Sequence, residues 1–215
     1  MKSRPLTALP LGLCLLASAA SPAAAGKIRN HFDSDAPLRP PAFFEFVVLG
    51  APGPAEWMVL TDANPPSAPS QVTQTRLTRP AGSIAAALRN NVVFQDGALS
   101  VGMRRGSAMG GMVFRVAGEK DFLLLLVDLA TGEARLSSCR EGRLSELAGG
   151  TAGLDREWGI LSLEAAGPKI SAAWNGKPLL AGTDPRPAAG RSGLAASGPG
   201  AASFDEFVIE TAALR

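Results

Sequence analysis

Gly110-Gly111-Met112-Val113-Phe114-Arg115-Val116-Ala117, then Gly118-Glu119-Lys120-Asp121, then Phe122-Leu123-Leu124-Leu125-Leu126-Val127 is the stretch that decides the fold. The first run alternates, with Phe114 and Val116 set against Val113 and Arg115. That is the period-two pattern of a half-buried strand. A polar turn follows. The next run is apolar at every position, so a strand built from it is covered on both faces. Six residues carry no periodicity that separates strand from buried helix. The turn before it and Thr131-Gly132 after it decide for a strand.

The pattern continues on both sides. Downstream come a strand-like run over residues 133–140, a turn at Glu141-Gly142, and the alternating run Trp158-Gly159-Ile160-Leu161-Ser162-Leu163-Glu164. Residues 169–174 and 177–180 flank Asn175-Gly176, a hairpin signal. Upstream, Gln95-Asp96-Gly97 separates Val92-Val93-Phe94 from Ala98-Leu99-Ser100-Val101-Gly102-Met103-Arg104 and predicts a second hairpin. In its longer arm Leu99, Val101 and Met103 claim the core, and Ser100, Gly102 and Arg104 face away. Further strands are expected near residues 31–33, 56–60, 71–75, 193–197 and 203–209, and residues 43–49 fit either a strand or a turn-bounded apolar segment. Residues 83–88 fit either a strand or a helical turn. About a dozen short strands, no long amphipathic helix and no internal repeat point to a two-sheet antiparallel sandwich.

The chain starts like an export signal. Lys2 and Arg4 precede an apolar run over residues 6–20, and Ala23-Ala24-Ala25 ends in a small-x-small pattern. Cleavage after Ala25 is expected, with residues 26–55 as an N-terminal segment holding a Pro-rich connector and residues 56–215 as one sandwich domain. Leu13 is the wrong neighbour for a lipidated Cys14. The apolar run is too short for a membrane span, so no integral anchor is expected. Removing Lys2 and Arg4 leaves 19 basic against 19 acidic residues. That balance, with no basic cluster, argues against a nucleic-acid partner. Cys139 is the single cysteine after residue 25, so no internal disulfide forms; it reads as a small buried apolar side chain.

The ordered series Val92-Val93-Phe94-Gln95-Asp96-Gly97, Gly110-Gly111-Met112-Val113-Phe114-Arg115-Val116, Asp121-Phe122, Thr131-Gly132, Glu157-Trp158, Asn175-Gly176-Lys177, Gly190-Arg191-Ser192-Gly193-Leu194 and Phe204-Asp205-Glu206-Phe207-Val208 resembles the secreted bacterial concanavalin A-like (laminin-G-like) jelly rolls. Within them it is most similar to the group related to the 3-keto-disaccharide hydrolase domain, over residues 56–210. The resemblance implies an all-β jelly-roll sandwich of two antiparallel sheets and an association with glycans, as a binding module or a hydrolase. The chain departs from the family where sugars are contacted. Phe122 and Leu123 stand where a Tyr pair is usual, Leu125 falls near the usual Arg, Ser137 replaces a frequent aromatic, and the chain has no Tyr. These departures imply a more apolar ligand, or no small ligand.

Little catalytic chemistry is legible. The Glu-x-Asp-x-x-Glu pattern of laminarinase-like members is absent, and the alternate carboxylates (Asp33 with Asp35, Glu119 with Asp121, Asp155 with Glu157) fall at turns. His31 is the single histidine, and no Gly-x-Ser-x-Gly elbow exists. Zinc lacks ligands and no cofactor is expected; the oxygen ligands calcium needs leave Asp184, Asp205 and Glu206 as candidates. Trp57, Trp158 and Trp174 each read as core packing. Arg104 and Arg115 are the expected ligand contacts, pointing away from the core on one shared face if their strands pair. The expected function is an exported, non-catalytic module binding a glycan or cell-envelope polymer. The alternatives are a hydrolase of 3-keto or otherwise modified glycosides and a structural or protein-interaction module.

Overall fold

A computed structural model of the chain describes residues 26–50, 52, 55–76 and 82–211. The expected export signal and Cys14 lie outside the described residues. The described residues form strands and no helix. In chain order the strands are β1 (Gly26–Asn30), β2 (Phe44–Gly50), β3 (Trp57–Thr61), β4 (Ser70–Gln74), β5 (Ser83–Arg89), β6 (Gly97–Arg104), β7 (Met109–Gly118) and β8 (Asp121–Asp128). They continue as β9 (Glu133–Arg140), β10 (Arg143–Thr151), β11 (Trp158–Ala166), β12 (Lys169–Trp174), β13 (Lys177–Thr183), β14 (Arg191–Ser197) and β15 (Ala202–Thr211).

Two antiparallel sheets result. One has eight strands in the order β13-β12-β11-β6-β15-β4-β3, with β1 added to β15; the other has seven, in the order β10-β9-β8-β7-β14-β5-β2. The expected all-β, two-sheet antiparallel sandwich is what the chain forms. Residues 26–50 supply β1 to one sheet and β2 to the other.

The apolar run in β8 divides as its alternation demands. Leu123, Leu125 and Val127 join the core between the sheets, while Phe122, Leu124 and Leu126 join a second apolar cluster on the opposite face. All six are buried. The second cluster also takes in Leu49, Ile84, Ala86, Leu88, Val113, Val116, Cys139 and Ala195. The seven-stranded sheet is therefore apolar on both faces. Cys139 is buried and unpaired, and burial pushes its thiol up, which leaves it a poor nucleophile.

Two local expectations change: residues 31–33 follow the opening strand β1 and are not themselves a strand, and one hairpin is lost. The Asn175-Gly176 hairpin forms, both residues adopting positive φ, but the Asp96-Gly97 hairpin does not. β6 pairs with β11 and β15, and Phe94 makes an isolated bridge to Gly190. Asp96 is instead drawn into side-chain bonds with Arg115 and the Gly167 amide. Residues 83–89 form a central strand between β14 and β2, where the alanines fit close packing. β10, unread in the sequence, is an edge strand broken by a register shift between Glu146 and Ala148. Its mostly exposed side chains give no alternation to detect.

Candidate binding groove

The outer face of the eight-stranded sheet carries a groove along β6. Leu99, Val101 and Met103 point into the core, so Ala98, Ser100, Gly102 and Arg104 line the outside. The three small residues make a low floor. β11 supplies one wall, with Ile160 beside Gly102, Ser162 beside Ser100 and Glu164 beside Ala98. β15 and β1 supply the other: Val208 lies beside Ser100 and Glu210 beside Ala98, backed by Arg29 and Lys27. A cavity of about 390 Å³ occupies one end, lined by Lys27, Arg29, Pro66, Ser100, Gly102, Ile160, Glu206 and Val208. A larger one, about 910 Å³, occupies the other, where Asp96, Glu164, Lys169, Thr183 and Glu210 surround Ala98.

A bulge in β15 shapes the near end. The register against β6 shifts between Asp205 and Val208, so Phe204 and Phe207 both stay in the core and the two acidic residues between them are displaced together. Glu206 takes φ +54°, a strained value for a non-glycine residue. Its carboxylate pairs with Arg29. Asp205 is fully buried. Its carboxylate accepts the Ser67 amide at 2.6 Å and hydroxyl at 3.1 Å, and the Glu206 amide at 2.7 Å. Burial pushes this carboxyl up to about 6, against the opposing pull of the Ser67 and Glu206 bonds.

Arg104 stands at the head of the groove. Its guanidinium donates to Asp62 at 2.7 Å and to Glu157 at 2.6 Å. Alternation along β11 also sets half-buried Trp158 on this face, in register with Arg104. The Trp158 indole nitrogen is buried without a hydrogen-bond partner. Trp57 and Trp174 belong to the core, as expected.

The pairing expected of Arg104 and Arg115 is not formed, because β6 and β7 belong to opposite sheets. Arg115 sits at a register shift between Phe114 and Gly118 with φ +51°, and it is completely buried. Simple alternation fails across such a bulge. The side chain turns to the β5–β6, β11–β12 and β13–β14 connections. There it donates to the Gln95 carbonyl at 2.9 Å, the Gly167 carbonyl at 2.7 Å, Asp96 at 3.3 Å and Asp184 at 3.3 Å. Asp184, itself buried, also accepts from Arg140 at 3.0 Å. Arg115 is thus a structural tie and is not placed to contact a ligand.

The three candidate calcium ligands do not converge either. Asp184 is committed to two guanidinium groups, Asp205 to Ser67 and Glu206 to Arg29. No group of three or more metal-binding side chains assembles among the described residues. His31 is half-exposed, with Nδ1 3.2 Å from Asp33. Three of the five candidate site residues, Arg104, Asp205 and Glu206, lie toward the same end of the groove, each bonded to its own partners. Lys27 and Arg29 went unread because nothing in a five-residue opening strand marks its neighbours.

The face of the seven-stranded sheet away from the core is apolar at its centre and carries ion pairs beside it, Arg191 with Glu45 and Arg135 with Glu133 and Glu146. A shallow cavity of about 280 Å³ there is lined mainly by Ile84, Met109, Leu124, Leu126 and Leu144, edged by Arg135, Ser137, Glu146 and Ser197.

No protein-family model and no curated protein matches the sequence. Solved structures do match. The chain is similar to a galectin-like protein of unknown function from Bacillus subtilis, at 15% identity over 87% of this chain and 96% of that one, with a TM-score of 0.58. It is also similar to a Bacillus licheniformis β-glucanase, at 8% identity over 86% and 98% of the two chains with a TM-score of 0.54. A third likeness is to the exoplasmic/lumenal domain of VIP36 in a Ca2+/Man3GlcNAc-bound form, at 15% identity over 80% and 84% with a TM-score of 0.51. At these identities the likeness establishes the fold, a concanavalin A-like, galectin-like jelly roll.

Proposed function

We propose that the protein is an exported, non-catalytic binding module for a glycan or cell-envelope polymer, with the ligand lying along β6. The observation that carries this reading is the groove itself. It is an open channel floored by Ala98, Ser100 and Gly102, with apolar flanks at Ile160 and Pro66 and charged groups of both signs along its walls. Polymers rich in hydroxyls need that mixture of apolar surface and spaced polar partners. Export rests on the leader pattern of residues 1–25 and is checked by the N-terminus of the protein recovered outside the cytoplasm. No helix among the described residues is long and apolar enough to cross a membrane.

The test fills the floor. Ser100→Phe places a ring over the groove without touching the core. Binding to envelope polysaccharide fractions should fall at least tenfold while the melting temperature stays within a few degrees of wild type. Equal binding by a folded Ser100→Phe variant rejects the groove.

One observation favours a second reading, a hydrolase of 3-keto or otherwise modified glycosides. The β15 bulge brings Asp205 and Glu206 to the same place, and the burial that lifts Asp205 to about 6 suits a general acid. Product release from a 3-keto-disaccharide, lost in Asp205→Asn, would select it over simple binding.

A further inference from the structure

The groove does not end where its open part does. The connection between β3 and β4, residues 62–69, leaves the sheet edge, crosses β4 and β15, and reaches β6 before it returns. Its Asp62 is held by Arg104, its Ser67 by Asp205 and the His31 carbonyl, and its Pro66 lies over Gly102. A Cβ built on Gly102 would come within 3.2 Å of both Pro66 Cγ and the Asp205 carbonyl oxygen, so the missing side chain leaves room for the connection and for β15 alike. Beneath it the floor continues from Gly102 to Asp205, its partner in register. It then reaches Gln71, one step past the Phe204–Val72 pair.

One buried acceptor of that covered floor is unsatisfied. Gln71 is nine-tenths buried, and its side-chain oxygen has no hydrogen-bond partner. Alternation with Val72, which is in the core, sends Gln71 to the outer side. Asp205 is stripped of solvent, and apart from the neighbouring Glu206 amide its carboxylate relies on Ser67. A buried polar atom left unmade is costly, and here both acceptors lie in line with an open groove.

We propose that residues 62–69 are a displaceable strap over a further subsite, in which hydroxyl groups of a polymeric ligand replace Ser67 on Asp205 and supply the donor that Gln71 lacks. This rests on the reading of the groove as a glycan site. The ligand class is a hydroxyl-rich chain long enough to run past Ser100 and under the strap. Closure lowers the apparent affinity for such chains by the fraction of molecules in which the strap is lifted. Short ligands that stay in the open part do not feel it.

The experiment compares dextran and β-glucan fragments of graded length on three proteins, wild type, Ser67→Ala and Gln71→Leu. Ser67→Ala weakens the latch and should tighten binding of long fragments about threefold or more, leaving short ones unchanged. Gln71→Leu removes the orphan amide, should keep or raise the melting temperature, and should weaken long fragments about tenfold. Protection of the strap from proteolysis should fall when long fragments bind. If wild type binds fragments and Ser100→Phe does not, yet Ser67→Ala and Gln71→Leu behave as wild type at every length, the strap proposal is overturned and the groove stands. If no fragment binds wild type, both readings fall.

Discussion

The two sheets differ most on the faces they turn away from the core. On the seven-stranded sheet that face is a lattice of Leu124, Leu126, Val113, Leu88 and Ile84, all buried. On the eight-stranded sheet it is floored by alanine, serine and glycine and walled by ion pairs such as Lys27–Glu210, Arg29–Glu206 and Arg104–Glu157. The first face behaves as a second core. The second is open, with small residues between ion-paired walls. The two sheets of one sandwich thus carry outer faces of different character, set by the residues at alternate strand positions.

The sharpest way to break this contrast is charge. Leu124→Asp buries an unpaired carboxylate in the second apolar cluster and should destabilise the protein by about 4 kcal/mol. The matching change on the other sheet, Ile160→Asp, introduces the charge at a position 53% exposed and should change stability by less than about 0.5 kcal/mol. Melting temperatures of the two variants settle it; equal losses would mean that the faces are not different in kind.

Arg115→Ala tests the tie between the sheets. It removes a completely buried guanidinium and leaves the carbonyls of Gln95 and Gly167 and part of Asp184 without their donor, while Asp96, partly exposed, keeps the Gly167 amide. A loss of about 3 kcal/mol is expected in denaturant unfolding, less than for a wholly unpaired carboxylate because Arg140 still holds Asp184. A loss below about 1 kcal/mol would show that the buried cluster contributes little.

The fold was legible because the core obeys alternation. Leu99, Val101 and Met103, and the run 122–127, fall where period two puts them. The site was legible only in part. Arg104 was read correctly as outward-facing, since its strand is regular. Arg115 was misread because a bulge interrupts the count, and the Asp96-Gly97 hairpin because Asp96 is taken by partners 19 and 71 residues away. Nothing local signals such long-range claims. The resemblance to glycan-associated jelly rolls implies sugar contacts in the Phe122 to Ser137 region, where Phe122, Leu123 and Leu125 stand in place of the Tyr pair and Arg usual there. The groove on the other sheet depends on strands brought together from four separate parts of the chain, so composition along any one of them could not reveal it.

Acidity offers a subtler probe of the polar face. Asp205 is raised to about 6 by burial, above the value near 3.9 of an unfolded chain. Its contribution to stability is therefore full below pH 4 and is lost as pH rises through 6. Between pH 7.5 and pH 5 this group alone should add about 1.4 kcal/mol, roughly a tenfold shift toward the folded state. Asp205→Asn should flatten that part of the profile, whereas His31→Gln, which touches Asp33 and not Asp205, should leave it. A wild-type profile already flat over this range would show that Asp205 is better solvated than its burial indicates.

The smallest effect is expected at Arg104, and its smallness is the point. The guanidinium bridges Asp62 on the strap and Glu157 beside β11. The residue is 38% exposed in its side chain, so water screens both pairs. Exposed pairs of this kind contribute roughly 0–1 kcal/mol, because the Coulomb gain is offset by screening and by the entropy of holding long side chains still. Arg104→Ala should accordingly lower stability by about 0.5 kcal/mol, far less than Arg115→Ala, although both residues sit at comparable points of neighbouring strands in the sequence. Salt should erase most of the Arg104 effect and little of the Arg115 effect, since screening reaches exposed charges and spares buried ones. Denaturant midpoints of both variants at low and at molar salt give the measurement. If Arg104→Ala costs as much as Arg115→Ala, or resists salt equally, the outer face of the eight-stranded sheet is a structural element like its counterpart, and the groove loses its claim to be a site held open for a ligand.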